Sequence, residues 1–413
     1  MTRVPRCRST PTTYLLGVLA ALTVCALAIS LVVGPSLAAP QHGTPVPERS
    51  SGQRSSGILT LDAGDLDATP DAWKGGYLVL QSWEYARIPE LKAENPSLKI
   101  LMYKDVTATR KDSHETGRFS TGVSYREAAA HGWLLTDQGG HVLEWSDWTG
   151  LYPVDVGNAG YQQQWGDNVL AELRKDDWDG VMMDDTLTYL SHSTVGGRVS
   201  KQIPTDQAMY DATESFLAHV AGRIRDAGYM AVPNVTVEWN TWRAVMADWT
   251  PYVSGWENEY FVKWGLDRSG ARFVGPDWQW KMEMAAWLAD RDVPLLAITY
   301  SNRDDVSAQT YHRATWLLTW NGRTGASVFV PDESDVDHWT SRATVEIGMP
   351  TQTRHQVGST GVWRRDYTAG TVLVNPTTRS AVVDLGQGYR RLGGTRVTEV
   401  RVAPTSGVIL RHG

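Results

Sequence analysis

The sequence has 413 residues, 42% hydrophobic and 21% charged, which is typical of a globular protein with one large and one small domain. The net charge is −7 and no basic stripe is evident, so the composition argues against nucleic acid as a partner. Both cysteines, Cys7 and Cys25, lie in the first 39 residues, so the rest of the chain can form neither a disulfide nor a thiolate metal site.

Residues 1–39 have the pattern of a targeting segment. Three arginines precede an apolar run over residues 14–33, and small residues at 36–39 suit a signal peptidase. We therefore expect a cleaved signal peptide and a secreted protein. The apolar run is also long enough to span a bilayer, so an uncleaved membrane anchor with an extracytoplasmic body is the alternative. Residues 40–56 are rich in Pro, Ser, Gly and Gln and predict a flexible linker.

From residue 57 onward, short apolar runs alternate with helical patterns. The predicted strands cover 58–62, 77–81, 98–103, 181–183, 229–234, 253–261, 293–299 and 326–330. The predicted helices cover 88–95, 125–131, 161–174, 206–227, 239–246, 277–290, 307–320 and 337–347. This alternation predicts an α/β fold, a (β/α)₈ TIM barrel over residues 57–350. An open doubly wound sheet is the alternative, although no G-x-G-x-x-G motif follows the first strand.

Residues 351–413 have a different pattern of apolar and polar residues. Short apolar or alternating runs are separated by Gly, Asn and Pro, and no helical period is present. This pattern predicts a small C-terminal antiparallel β-sandwich packed on the barrel.

Two of the predicted barrel strands, the fourth and the sixth, end in acidic residues. The fourth ends in Asp184 and Asp185. When the two segments are aligned so that Gly255 matches Gly180, Glu259 is aligned with Asp184. Catalytic groups of TIM barrels lie at the C-terminal ends of the strands, and two carboxylates facing one cleft are the minimum equipment of a glycosidase.

These acids can be given separate roles. Asp184 is predicted to be the nucleophile, or the base of an inverting enzyme, since it points into the barrel if Met182 does. Asp185 would then point toward the helices. Glu259 is the predicted general acid, with Glu257 as the alternate, because aromatic neighbours and a second carboxylate raise a carboxyl pKa. The competing interpretation is that the acids cap helices or form structural ion pairs.

Further polar and aromatic residues are candidates for substrate binding. The sequence has 19 tryptophans and only 5 phenylalanines, and the flat tryptophan face suits both core packing and stacking on sugar rings. Two carboxylates need no metal or organic cofactor, and no histidine has zinc-ligand spacing. Polar candidates at the strand ends are Asp62, Gln81, Tyr103, Asp105, Asn234 and Tyr300, and candidate stacking platforms are Trp83, Trp145, Trp148 and Trp239.

The segment from Trp178 to Asp185 resembles the strand-four motif of glycoside hydrolase family 114. Over residues 57–413 the chain is similar to the bacterial hypothetical glycosyl hydrolase family 15 group, a resemblance supported by 255–261, 346–350 and 403–410. The resemblance implies a barrel glycosidase acting on a polysaccharide, by analogy an amino-sugar or α-linked polymer. The sequence has two acids, Asp184/Asp185 and Glu257/Glu259, where the pattern has one. The resemblance therefore does not decide which acid of each pair is catalytic.

The sequence therefore predicts a secreted glycoside hydrolase whose partner is a polysaccharide or oligosaccharide, with membrane contact only if the leader is uncleaved. The alternative is a non-catalytic cell-surface carbohydrate-binding protein on a barrel scaffold. A barrel hydrolase of another kind is a third possibility, because fold alone does not determine function. Paired acids on separate strands favour the glycosidase.

Overall fold

The computed structural model describes residues 57–61, 66, 69–331 and 342–413. The predicted leader, the predicted linker and the candidate residue Asp62 lie outside the described residues, as do residues 337–341 of the last expected helix. No helix within the described ranges is long and apolar enough to cross a membrane.

The first ten strands of the described chain are β1 (Leu59–Leu61), β2 (Tyr77–Leu80), β3 (Lys99–Asp105), β4 (Ala108–Arg110), β5 (Leu151–Pro153), β6 (Gly180–Thr186), β7 (Met230–Val235), β8 (Trp256–Asn258), β9 (Leu295–Ser301) and β10 (Ala326–Pro331). Eight of them form a parallel sheet in the order β1-β2-β3-β6-β7-β8-β9-β10. A parallel bridge between Ile58 and Ser327 closes the sheet into a barrel. The predicted TIM barrel is confirmed, with a sixth strand shorter than expected because the chain bends at Glu259.

The helices of the described chain lie between these strands as predicted. They are α1 (Ile88–Glu94), α2 (Tyr125–His131), α3 (Ala159–Lys175), α4 (Asp206–Phe216), α5 (Gly222–Asp226), α6 (Trp242–Trp249), α7 (Gly275–Ala289) and α8 (Val306–Thr319). A π turn over Leu217–Ala221 joins α4 to α5, so the predicted helix at 206–227 is continuous. The expected last helix is not seen in its described part, where residues 342–347 form a turn and an irregular segment.

Side chains of the barrel strands alternate between two apolar layers, as successive residues of a strand must. Leu101, Met182, Val232 and Ile298 belong to a cluster that fills the barrel interior. Met183, one residue along from Met182, belongs to the larger core between the sheet and the helices. Burial on both faces explains why the strands are almost wholly apolar until their C-terminal ends.

The C-terminal segment forms one antiparallel sheet from six strands: β11 (His355–Gln356), β12 (Trp363–Tyr367), β13 (Gly370–Asn375), β14 (Ala381–Arg391), β15 (Arg396–Val402) and β16 (Ser406–His412). Leu373 of β13 packs in the sheet's own core, whereas its neighbours Val372 and Val374 join the core shared with the helices. A Cβ on Gly407 would lie 2.7 Å from the Thr310 carbonyl oxygen, so β16 lies directly against α8. The predicted antiparallel β-domain is confirmed, while its boundary at residue 350 stays a prediction.

Arg313 of α8 links the first and last strands of the barrel. Its buried guanidinium donates to the carbonyl oxygen of Gly57 at 2.6 Å, to Ser327 Oγ at 3.0 Å and to the carbonyl oxygen of Val345 at 3.0 Å. Gly57 precedes β1 and Ser327 lies in β10, so one charged group ties the first strand, the last strand and the chain that leaves the barrel. Hydrogen bonds to charged groups are among the strongest in folded proteins.

We expect Arg313→Met to lower the free energy of unfolding by at least about 2 kcal/mol, since three buried acceptors lose a charged donor. Arg323→Ala is the control, because the Arg323–Asp292 pair is exposed and should contribute less than about 1 kcal/mol. Urea unfolding followed by tryptophan fluorescence measures both. Equal midpoints for the two variants would contradict the role of Arg313 in barrel closure.

Candidate active site

The parallel register of the barrel brings the predicted acids to one end. Asp105 of β3 lies beside Asp184 of β6, and Asn234 of β7 lies beside Glu257 of β8. Met182 is part of the interior cluster, so Asp184, two residues later, points into the mouth of the barrel as predicted. These residues occupy the C-terminal end of the barrel, where TIM-barrel enzymes hold their catalytic groups.

Three donors hold the Asp184 carboxylate. Tyr103 Oη donates to Oδ2 at 2.5 Å, and Oδ1 accepts from Asn234 Nδ2 at 2.9 Å and from the Asp185 amide at 2.8 Å. Burial and the charge of Asp185 raise the pKa of Asp184, while the hydrogen bonds from Tyr103, Asn234 and the Asp185 amide lower it. The net effect raises the pKa of Asp184, and the three donors oppose that shift because they stabilise the charged form.

Glu259 is the other acid of the barrel mouth, and its pKa is raised as well. Tyr300 Oη donates to its Oε1 at 2.5 Å. Burial and the charge of Asp184 raise the pKa of Glu259 to about 7, although the Tyr300 and Asn234 side chains act in the other direction. A carboxyl group with this pKa holds a proton at neutral pH and can donate it, which suits a general acid.

The side-chain amide of Asn234 holds the Asp184 carboxylate. Its Nδ2 donates to Asp184 Oδ1 at 2.9 Å, and the same side chain acts to lower the pKa of Glu259. The charge of Asp184 acts in the other direction and contributes to the raised pKa of Glu259, because neighbouring carboxyl groups disfavour each other's charge. Asn234, predicted as a sugar-binding residue, is here a hydrogen-bond donor to Asp184.

The chain turns sharply directly after each of these acids. Asp185 has φ 53° and Tyr260 has φ 50°, both in the left-handed region that non-glycine residues seldom adopt. Of the four non-glycine residues with positive φ in the described chain, these two follow Asp184 and Glu259. Backbone strain of this kind persists only where surrounding contacts impose it, and it concentrates at functional sites.

Asp185 turns away from the barrel interior and faces the loop that follows β6. Its Oδ1 lies 3.1 Å from His192 Nε2. Burial lowers the pKa of His192, but the hydrogen bond and charge of Asp185, with the charges of Asp184 and Asp147, raise it overall. His192 therefore partly balances the negative charge beside Asp184. Sequence reasoning missed His192, because only the loop conformation brings it to Asp185.

Glu257 lies deeper in the barrel than Glu259, on the same strand face. It is almost fully buried, and its Oε2 has no hydrogen-bond partner among the described residues. Burial, followed by the charges of Glu259 and Asp184, raises the pKa of Glu257 well above its usual range. Glu257 therefore keeps its proton and is enclosed by the barrel, whereas Glu259 is only half-buried.

Lys281 of α7 contacts the end of β8 from the helix layer. Sequence reasoning also missed this residue. Its buried Nζ donates to Asn258 Oδ1 at 2.6 Å and to the carbonyl oxygen of Glu259 at 3.3 Å. Burial lowers the pKa of Lys281 to about 7, and the charge of Glu259 acts in the other direction. The sequence could have indicated Lys281 through its position on the apolar face of α7, which also carries Trp278, Ala285 and Leu288.

The remaining polar candidates lie at the strand ends but have different surroundings. Tyr103 and Tyr300 donate to the two acids. Asp105 is buried, and its Oδ1 accepts from the Ala108 amide at 2.7 Å, so it holds the turn after β3. Burial and the charges of Asp185 and Asp184 raise its pKa well above the usual range. Gln81 is half-buried at the end of β2, where a role in sugar binding stays a prediction.

The four candidate tryptophans differ in how much of each side chain is exposed. Trp148 and Trp239 are 54% and 68% exposed and can offer a face to a ligand. Trp83 is half-buried, and His114 stacks on one of its faces at 4.7 Å. The stacking role predicted for Trp145 does not fit, because only 3% of this residue is exposed and its ring packs against His192. Trp145 instead supports the His192 loop.

Comparison with known families agrees with the site. Residues 92–371 match the model of "Hypothetical glycosyl hydrolase family 15". The chain belongs to this family. It is therefore a glycoside hydrolase, as the resemblance at the sequence level implied, and its substrate is a carbohydrate. No curated protein matches the sequence significantly. The likeness of strand four to family 114 stays a prediction.

Solved structures of similar fold include other glycoside hydrolases. The glycoside hydrolase domain of PelA from Pseudomonas aeruginosa has 15% identity and a TM-score of 0.45, over 67% of this chain and 96% of that one. Aspergillus fumigatus Ega3, in complex with galactosamine, has 13% identity and a TM-score of 0.44, over 70% and 97%. The maltogenic α-amylase AmyB from Thermotoga neapolitana has 9% identity and a TM-score of 0.48, over 87% and 99%. These similarities are too low to assign a substrate.

Glu257→Gln should stabilise the protein at neutral and alkaline pH. A carboxyl group whose pKa is raised by folding keeps a proton that the unfolded chain has released, so its contribution to stability falls as the pH rises above the unfolded pKa. Glutamine has a similar shape and no charge. We expect the variant to melt a few degrees higher at about pH 8 and with little change at about pH 4.

The control for this experiment is Glu283→Gln, on the outer side of α7, which should show no such pH dependence. Differential scanning calorimetry at both pH values compares the two variants. A lower melting temperature of Glu257→Gln at both values would show that the acid makes a stabilising contact that an amide cannot replace.

Proposed function

We propose that the protein hydrolyses glycosidic bonds of a polysaccharide with Glu259 as general acid and Asp184 as nucleophile. The observation that carries this proposal is a pair of buried carboxyl groups with different sets of hydrogen-bond donors. Burial and charge raise the pKa values of both groups, but three donors stabilise the ionised form of Asp184, whereas the pKa of Glu259 is raised to about 7. One charged and one protonated carboxyl group in one cleft are what glycoside hydrolysis requires.

The reaction follows from these protonation states. Glu259 donates its proton to the glycosidic oxygen as the bond to the anomeric carbon breaks, and Asp184 Oδ attacks that carbon to form a glycosyl-enzyme ester. The aglycone leaves as an alcohol. Glu259, now ionised, takes a proton from water, whose oxygen attacks the anomeric carbon and releases Asp184. The charge of Asp184 contributes to the raised pKa of Glu259, so the two carboxyl groups lie near each other, and the course written here is that of a retaining enzyme.

We propose an amino-sugar or α-linked polymer as the substrate. Asp105, Asp184, Asp185, Glu257 and Glu259 interact electrostatically around the barrel mouth. This concentration of carboxyl groups disfavours a uronic acid polymer and favours a neutral or cationic sugar. We further propose that the protein acts outside the cytoplasm, a proposal that depends only on its predicted leader.

Asp184→Asn and Glu259→Gln should each lower kcat by at least about a hundredfold without loss of the fold. The measurement is release of reducing ends from α-glucans, chitosan and bacterial exopolysaccharides. Glu283→Gln, a carboxyl group on the outer helix layer, is the control and should keep full activity. Proton NMR of the early product should show the anomeric configuration of the substrate.

Two results would contradict this assignment of roles. Substantial residual activity of Asp184→Asn would exclude Asp184 as the nucleophile. Binding of glycans by all variants without release of reducing ends by the wild type would favour the carbohydrate-binding alternative.

The pH profile of kcat/KM should be bell-shaped. The rate should fall as the pH rises through about 7, because Glu259 then loses the proton it must donate. It should also fall at acid pH, where Asp184 becomes protonated, at a pH above the usual aspartate pKa. On an aryl glycoside whose leaving group needs no proton, Glu259→Gln should lack the alkaline limb. An unchanged alkaline limb in that variant would assign the limb to another group.

A further inference from the structure

An ordered arm follows Glu259 directly in the chain. We call residues 261–273 the Trp264 arm. Its two halves pair in antiparallel fashion: Lys263 bridges Arg272, the Trp264 amide donates to the carbonyl oxygen of Ala271 at 3.0 Å, and the Phe273 amide donates to that of Val262 at 2.9 Å. The arm therefore has a fixed course from the bend at Glu259 to the start of α7.

A buried lysine organises the tip of the arm. The Nζ of Lys263 donates to the carbonyl oxygens of Trp264 at 2.9 Å and Gly265 at 3.2 Å, and also to that of Asp267. A Cβ at Gly270 would lie 1.6 Å from the Trp264 carbonyl oxygen, so the returning half of the arm packs against this turn as closely as glycine allows. A cation enclosed by backbone oxygens holds the tip in one conformation.

The arm is also tied to the loop after β9. Arg272 Nη2 lies 3.1 Å from Asp305 Oδ1, Arg268 pairs with Asp304, and the Arg268 amide donates to Asn302 Oδ1 at 2.7 Å. These bonds attach the arm to the strand that carries Tyr300. The position of the tip relative to Glu259 is thus set by contacts at both sides of the arm.

This rigid tip presents apolar side chains to solvent. Trp264 is 57% exposed and Leu266 is 51% exposed. Of the two, only Trp264 offers a flat aromatic face to a ligand. A preformed platform loses little conformational entropy on binding, which increases affinity.

Trp264 is connected to the proposed general acid by a row of aromatic rings. Its ring centroid lies 5.5 Å from that of Tyr260, and Tyr260 lies 5.6 Å from Tyr300. Tyr300 donates to Glu259. Phe273 supports the Trp264 ring edge-on at 5.2 Å. The left-handed conformation of Tyr260 directs the chain from the acid into this row.

We propose that Trp264 is the stacking platform of a substrate subsite on the Glu259 side of the cleft. Its occupant is a pyranose ring of the polymer, next to the bond whose oxygen Glu259 protonates. This proposal rests on the proposed function of the Asp184–Glu259 site. The sugar lays its apolar C–H face on the indole, while its hydroxyl groups stay in water. Because such a contact is equal in the ground and transition states, it lowers KM more than it raises kcat.

Within the described residues, two further tryptophans are exposed and lack this connection. Trp148 and Trp239 have no ring contact with another aromatic side chain in this part of the chain. Of these three tryptophans, Trp264 is the one that a row of aromatic rings connects to Glu259.

The test measures binding without turnover, in the Asp184→Asn background, with maltoheptaose and a glucosamine heptamer as probes. We expect Trp264→Ala to weaken binding of the better probe about tenfold, and Trp264→Phe to retain most of the affinity. Leu266→Ser is the matched control, because it removes an equally exposed apolar side chain from the same tip and should leave affinity unchanged. Melting curves confirm that each variant is folded.

Three results would overturn the platform: equal affinity of Trp264→Ala and its parent, equal losses in Trp264→Ala and Leu266→Ser, or no binding of either probe by the parent. Hydrolysis of the same probes by the wild type and by Trp264→Ala, measured as kcat and KM, separates this proposal from the proposed function. Binding that depends on Trp264 without hydrolysis by the wild type would contradict the function and keep the platform. Hydrolysis with an unchanged KM in Trp264→Ala would contradict the platform and keep the function.

Discussion

The parallel register of a closed barrel is the constraint on which the site depends. Side chains of a strand alternate in direction, and neighbouring parallel strands keep equivalent positions at one level. Asp184 follows the inward-facing Met182, and Asn234 pairs in register with Glu257, so these polar groups meet although they are far apart in the chain. Closure between Ile58 and Ser327, secured by the buried guanidinium of Arg313, removes the free edges along which this register could slip.

The electrostatics of the barrel mouth follow from placing several carboxyl groups where water is scarce. Repulsion and burial raise the pKa values of Asp105, Asp184, Glu257 and Glu259, and hydrogen-bond donors decide which group stays ionised. Asp184 has three donors, whereas Glu257 has a buried oxygen without a partner among the described residues. The fold thus places carboxyl groups close together in different hydrogen-bond surroundings. Lys281 and His192 approach these groups from outside the barrel interior.

Two sharp turns connect this chemistry to the surrounding loops. The left-handed residues Asp185 and Tyr260 redirect the chain directly after the acids, one toward His192 and Trp145 and the other toward the Trp264 arm. A strand that continued straight would carry the acids but leave no walls around them. The left-handed backbone at these two residues is what directs the following loops over the strand ends.

The alternation of strands and helices up to the eighth strand and the inward direction of Asp184 were determined by the sequence alone, because they depend on local periodicity and on residue type. The tertiary structure decided what each residue touches. The sequence could not distinguish the buried Glu257 from Glu259, the enclosed Trp145 from the exposed Trp264, or the role of Asn234 from that of any polar residue at a strand end. It also did not indicate His192 and Lys281, which reach the acids from a loop and from the helix layer. Burial and hydrogen bonding between distant segments set these properties, and neither exists until the barrel has closed.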